Sequence, residues 1–229
     1  MTTQTVVSGV TLSAASWAND VDTATYSYLT GVAGTNTVTA TGAANLTYAA
    51  GIIVRWIPAA TNTGATTINI TPSGASALGA RNVFFNGAAC TGGEMRIGVP
   101  CQAVDDGTRL HLLHTGFSNT YTPTLTNTTN LDGSTAYVCQ YIRVGNSVIV
   151  SGQVDVDPTA GGSITLGISL PIASNLASTT QCAGTANSSA VADSYAIQGD
   201  STNDRATLTG IASTTSNNSL FFTFTYLVI

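Results

Sequence analysis

The segment Tyr137–Asp157, YVCQYIRVGNSVIVSGQVDVD, constrains the fold more than any other part of the chain. Ahead of Gly145-Asn146, Val138, Gln140, Ile142 and Val144 share one face, and Tyr137, Cys139, Tyr141 and Arg143 share the other. Beyond it, Val148, Val150, Val154 and Val156 alternate with Ile149, Ser151, Gln153, Asp155 and Asp157. Only a strand has a side-chain period of two. Gly-Asn tolerates the positive φ of a tight turn, so the segment is predicted to be a β-hairpin.

Composition extends that reading to the whole chain. Of 229 residues only 7% are charged, well below the usual quarter, with Thr, Ser, Asn, Ala and Gly making up the difference. Such a mixture suits strands joined by tight turns and argues against a helical bundle. Six arginines and no lysine stand against eleven carboxylates, a net charge of −5, so there is no basic footprint for nucleic acid or an anionic membrane. No apolar run approaches the roughly 20 residues needed to cross a bilayer, and Met1-Thr-Thr-Gln lacks the start of a signal peptide. The expectation is a soluble protein made in a cytoplasm.

Taken in order, the chain is predicted to be all-β: two antiparallel β-domains, sandwich or jelly-roll-like, behind a short N-terminal helical leader over residues 1–30. In the leader, Trp17, Val21, Ala24 and Tyr28 make one helical stripe that Ser13 or Ser16 could cap. From 31 to 115, TNTVTATG, IIVRWIP, TTINITPSG, NVFFNG, EMRIGVPCQAVDDG and TRLHLLH read as short strands, the last two joined by a hairpin at Asp106-Gly107. GFSNTYTP, residues 116–123, reads as the boundary. Over 119–229 the hairpin is followed by SITLGISLP, TQCAGTA, SYAIQG, RATLTGIAS and SLFFTFTYLVI, whose alternating rows two packed sheets would bury. The final strand is apolar on both faces, with Leu220, Phe222, Phe224, Tyr226 and Val228 on one and Phe221, Leu227 and Ile229 on the other. It is either central in the sandwich or pressed against a neighbouring subunit.

Residues that could carry chemistry are few. Cys90, Cys101, Cys139 and Cys182 fit no zinc spacing. They read as small buried hydrophobes, with a Cys139–Cys182 or Cys90–Cys101 disulfide as the alternative. His111 and His114, three apart on a strand, point to opposite faces and do not share a metal. In SYAIQGDSTNDR, Asp200, Asn203, Asp204 and Arg205, with Asp193 just upstream, could bind Ca²⁺ or sugar hydroxyls, and Tyr195 could offer a ring to a pyranose. The competing reading is a turn whose Asp and Asn bond their own backbone. Asp155 and Asp157 share a face as glycosidase acids do, but precede Pro158 and read as a solvated strand exit. No nucleophile elbow or phosphate loop occurs. The expectation is a protein that is not an enzyme and holds no metal or cofactor.

YTPTLTNTTN, STAYVCQYIRVGNSVIVSGQVDVDPT, LGISLPIASN, CAGTA, GDSTNDRA and FTFTYLVI, in that order over Tyr121–Ile229, resemble a C-terminal β-domain of tailed-bacteriophage tail fibres and related virion proteins. LTYAAGIIVRWIPAATNTGATTINI with DDGTRLHLL is similar to a small β-domain of phage tail proteins, and VTLSAASWANDVDT to the leader of phage fibre proteins. The resemblance implies a virion component assembled in the host cytoplasm. It implies a homotrimer, with Phe222, Phe224 and Tyr226 as interface candidates, and docking to other virion proteins through Trp17, Val21 and Tyr28. Two roles follow: a tail-fibre or tail-tip protein that binds a host surface glycan, or a capsid decoration protein or short head fibre with no receptor role. A secreted bacterial glycan-binding module is a weaker third, for want of a signal peptide.

Overall fold

A computed structural model of the chain describes residues 28–114 and 116–229, with the short antiparallel strands β1 (Gln4–Thr5) and β2 (Thr11–Leu12) before them. Trp17 and Val21 of the predicted helix lie outside the described residues. Tyr28, the last residue of that stripe, makes a β-bridge to Arg55 instead. The chain divides into two compact units, 1–114 and 115–229. Within the predicted boundary segment 116–123, Gly116–Tyr121 is a strand of the second unit.

The first unit holds β3 (Thr30–Ala33), β4 (Thr37–Gly42), β5 (Ile53–Trp56), β6 (Thr66–Pro72), β7 (Ala80–Phe85), β8 (Ala88–Ala89), β9 (Cys101–Asp105) and β10 (Arg109–Leu112). They form one sheet in the order β3-β4-β6-β7-β10-β9-β5, with β8 on β7. The pairing is mainly antiparallel, but β4 with β6 and β7 with β10 run parallel. Alternation puts Val38 and Ala40, Val54 and Trp56, Ile68 and Ile70, Val83 and Phe85 into one core. The β9–β10 hairpin turns where predicted, with Asp106 Oδ1 accepting from Thr108 N and Arg109 N at 2.8 and 2.7 Å. Of EMRIGVPCQAVDDG, only Cys101–Asp105 is strand. Glycines 92, 93 and 98 all adopt positive φ, which breaks any ladder through the first half.

The second unit holds β11 (Gly116–Tyr121), β12 (Leu125–Thr129), β13 (Leu131–Ala136), β14 (Cys139–Val144), β15 (Ser147–Pro158), β16 (Gly162–Ser169), β17 (Cys182–Ser188), β18 (Ser194–Asp200), β19 (Arg205–Ala212) and β20 (Asn218–Leu227). A single 3₁₀ turn, Thr179–Gln181, precedes β17. The ten strands make one antiparallel sheet in the order β11-β14-β15-β20-β17-β18-β19-β16-β12, with β13 on β15. The expected hairpin is β14–β15, its loop the two residues Gly145 and Asn146, with Gly145 at φ +59°.

Connectivity forces this sheet to curl. β12 pairs with β16 and β13 with β15, strands five steps apart in the sheet, yet only Asn130 separates β12 from β13. The fold is therefore sandwich-like, with its core inside the curl. Cys139, Tyr141 and Arg143 of β14 face inward, as do Val148, Val150, Val154 and Val156 of β15 and Ile164, Leu166 and Ile168 of β16.

Candidate functional site

The acid-rich segment is the β18–β19 hairpin turn. Asp200 accepts from Thr202 N at 3.1 Å, Asn203 N at 3.2 Å, Asn203 Nδ2 at 2.8 Å and Arg205 Nε at 2.8 Å. Asp204, at φ +47°, accepts from Ser174 N at 2.9 Å and Leu176 N at 3.0 Å. For both carboxyls burial works against ionisation, but the donors outweigh it and hold them below the ordinary carboxylate range. Their oxygens are engaged by their own chain, so the residues fold a turn and pin the loop before β17 rather than await a ligand.

Tyr195 lies at the opposite end of β18 from Asp200, so the predicted glycan contacts do not converge. Its side chain is buried, at 3% exposure. The ring covers the Gly210 backbone so closely that a Cβ there would meet Cδ1 at 2.3 Å. Its hydroxyl donates to Asp193 Oδ2 at 3.3 Å, and burial pushes its pKa up to about 12.

What does converge near Asp193 is an open groove of about 760 Å³ against β17, β18 and β19. Thr185, Ala196 and Thr209 lie side by side across the three strands. Asn187 and Ser194 pair one step along, and exposed Ile211, half-buried Asp193 and Tyr195 also line the groove. Asp193 Oδ2 accepts from Ser213 N at 2.9 Å as well as from Tyr195. The Ser213 amide above all holds this carboxyl below its usual range, so it is ionised at neutral pH. The groove thus offers hydroxyls, an amide and one carboxylate beside an aliphatic side chain, a set suited to a hydrated, neutral, polyhydroxylated ligand. Each hydrogen bond would add only about 0.5–1.5 kcal/mol net. Sequence reasoning reached Asp193 but missed Thr185, Asn187 and Thr209. Their outward parity on alternating strands was readable, whereas the neighbourhood of three strands was not.

The remaining candidates have structural partners. Asp155 accepts from Tyr137 Oη at 2.7 Å and from Gln153 Nε2 at 3.0 Å. Asp157 sits opposite Gly133 of β13, so the pair lies within the sheet and not at an open strand exit. His111 Nε2 is 2.8 Å from Asp106 Oδ2, while the His114 ring stacks on Phe85 with centroids 5.2 Å apart. All four cysteines are buried and free, which removes the disulfide alternative. Phe222, Phe224 and Tyr226 are 4%, 1% and 1% exposed. Covered by their own fold, they cannot form a subunit interface; the exposed large apolar residues of that strand are Phe221 and Leu227, with Thr223 and Thr225 between them. Tyr28 is exposed.

Among the described residues, no group of three or more His, Cys, Asp or Glu is placed to hold a metal ion, and no helix is long and apolar enough to cross a membrane. Compared with protein-family models, with curated proteins and with solved structures, the chain matches none.

Proposed function

We propose that this chain is a bacteriophage virion protein of the tail fibre or tail tip that binds a neutral glycan on the host surface, and that it acts by binding rather than catalysis. The observation that carries the binding reading is the open groove over β17–β19, with Asn187, Asp193, Ser194 and Thr209 around an aliphatic edge at Ile211. The virion assignment rests on the ordered resemblance of the Tyr121–Ile229 segments, and it agrees with a low-charge, two-unit β-protein. A shallow site of this kind binds weakly, and several copies on one particle raise the effective concentration. The leader with Trp17 and Val21 would supply docking to other virion proteins.

Two measurements test it: adsorption of the full chain to host cells, and its binding to a glycan array, each with Asn187→Ala and Asp193→Ala alongside. Saturable binding that falls tenfold or more in both variants supports the reading. Absence of binding to cells and glycans, or binding indifferent to both substitutions, overturns the groove as the receptor site. Binding to empty capsids alone would assign the protein to capsid decoration.

A further inference from the structure

We propose that the outer face of β14, β15 and β20 is a self-association surface that a second copy of this chain covers. It deepens the multi-copy part of the reading above by naming the surface, and it does not depend on glycan binding.

The three strands are neighbours, and their register stacks the outward side chains in rows. Val144, Ser147 and Leu227 form one row, Ile142, Ile149 and Thr225 the next, and Gln140, Ser151 and Thr223 a third. Phe221 pairs with Gln153 beyond them, and Val138 continues the β14 alternation past Gln140. The aliphatic residues are open to solvent: Ile142 is 51% exposed, Val144 57%, Ile149 50%, Leu227 54%, Phe221 53% and Val138 70%. β14 is inverted relative to a surface strand, because it turns Arg143 inward, at 2% exposure, and its Ile and Val outward. An antiparallel sheet with one solvated face alternates the other way.

Area and charge identify the occupant. Six such side chains expose on the order of 500–600 Å² of apolar surface, at the top of the range for a monomer's largest patch. That is about two-thirds of the ~800 Å² each partner contributes to a standard interface. The residues between them are Gln140, Ser147, Ser151, Gln153, Thr223 and Thr225, so no row carries an ionisable group. A neutral face of small and aliphatic side chains is complementary to its own copy, since apolar sheet faces pack against one another at ~10 Å. With six basic and eleven acidic side chains in the whole chain, copies meet little repulsion.

The test is the mass of the purified full chain by light scattering and sedimentation at about 1–50 µM, in low and high salt. The expected result is an oligomer whose mass is insensitive to salt, because screening leaves apolar contact untouched. Ile149→Glu should raise the dissociation constant at least tenfold while the near-ultraviolet circular dichroism stays native. Should that variant misfold, Ile142→Thr/Ile149→Thr keeps strand-forming residues and should weaken association in the same direction. Thr209→Glu, in the groove, should leave the mass unchanged while affecting glycan binding, which separates the two proposals. A wild-type monomer at 50 µM, or an oligomer that both substitutions at Ile149 leave intact, overturns the proposal.

Discussion

Glu94 Oε2 accepts a hydrogen bond from Asn62 Nδ2 at 2.8 Å, and both side chains are buried. The same carboxylate takes Thr91 N at 2.7 Å, Thr91 Oγ1 at 2.8 Å and Gly92 N at 2.8 Å, while Asn62 Oδ1 accepts from Met95 N at 2.8 Å. One carboxylate thereby ties the loop around Asn62 to the loop that leads into β9. Burial alone would raise its pKa, but the Asn62 and Thr91 donors outweigh burial and leave it lowered. A lowered folded-state pKa contributes stability above the unfolded value, and that stability is lost as pH falls through the folded value. Glu94→Gln should destabilise the first unit by about 2 kcal/mol, since hydrogen bonds to charged groups carry roughly 1.5–3 kcal/mol each. Urea titrations from pH 7 to pH 3 should show the variant losing less stability on acidification than the wild type; parallel curves would contradict the assignment.

Gly184 and Gly145 separate crowding from backbone strain. A Cβ on Gly184 of β17 would lie 2.2 Å from Thr223 O and 2.6 Å from Phe224 Cα, both on the neighbouring strand. Gly184→Ala should cost about 3 kcal/mol or more, because backbone in a central strand cannot move aside. At Gly145 nothing lies within 4 Å, but φ is +59°. Gly145→Ala should cost about 1 kcal/mol of strain. Thermal melts of the two variants should rank accordingly.

Asn130 turns the corner between β12 and β13 at φ +54°. Its Oδ1 accepts from Ala160 N at 3.0 Å and its Nδ2 donates to Ala160 O at 2.8 Å, so the side chain acts as one more rung of the ladder. Asn130→Ala loses both bonds and incurs the strain, for an expected loss of about 2–3 kcal/mol. Asn130→Gly relieves the strain alone and should lie between Ala and wild type in denaturant stability.

The four thiols should be silent to reagents in the native state. Burial pushes Cys101 up to about 11 and Cys182 up to about 12, and also raises Cys139. A thiol reagent at pH 8 should therefore label none of them until denaturant is added, when all four should react. Prompt labelling of Cys139 or Cys182 in the native protein would sink this account of the core.

Local features of the fold were legible and distant ones were not. The hairpins at Gly145-Asn146 and Asp106-Gly107 depend on residues two to four apart. Their turn chemistry and flanking alternation therefore appear in the string itself. The parallel pairs β4–β6 and β7–β10 join strands separated by intervening structure, and nothing in the alternation of TNTVTATG announces a parallel neighbour. Met95, Ile97 and Val99 alternate as a strand would, yet the positive φ of Gly92 and Gly93 before the run and of Gly98 within it, with the Glu94 clamp, make a loop. On β20 both faces carry large apolar side chains, so only the closed curl decides that Phe222, Phe224 and Tyr226 are core while Phe221 and Leu227 are not. At Asp200 and Asp204, a turn and a ligand site ask for the same oxygens. Distances of about 3 Å to the chain's own donors are what separate them.

β20 is the last strand of its unit in chain order, yet it lies between β15 and β17, pairing with the first from Ser147 to Val156 and with the second from Cys182 to Ser188. During synthesis, then, the second unit is a sheet missing its middle until Asn218–Leu227 leaves the ribosome. Its earlier strands must wait with their apolar rows uncovered, while the first unit, finished at His114, can already have closed. A nascent chain arrested shortly before β20 should show a protease-resistant first unit and a digestible remainder.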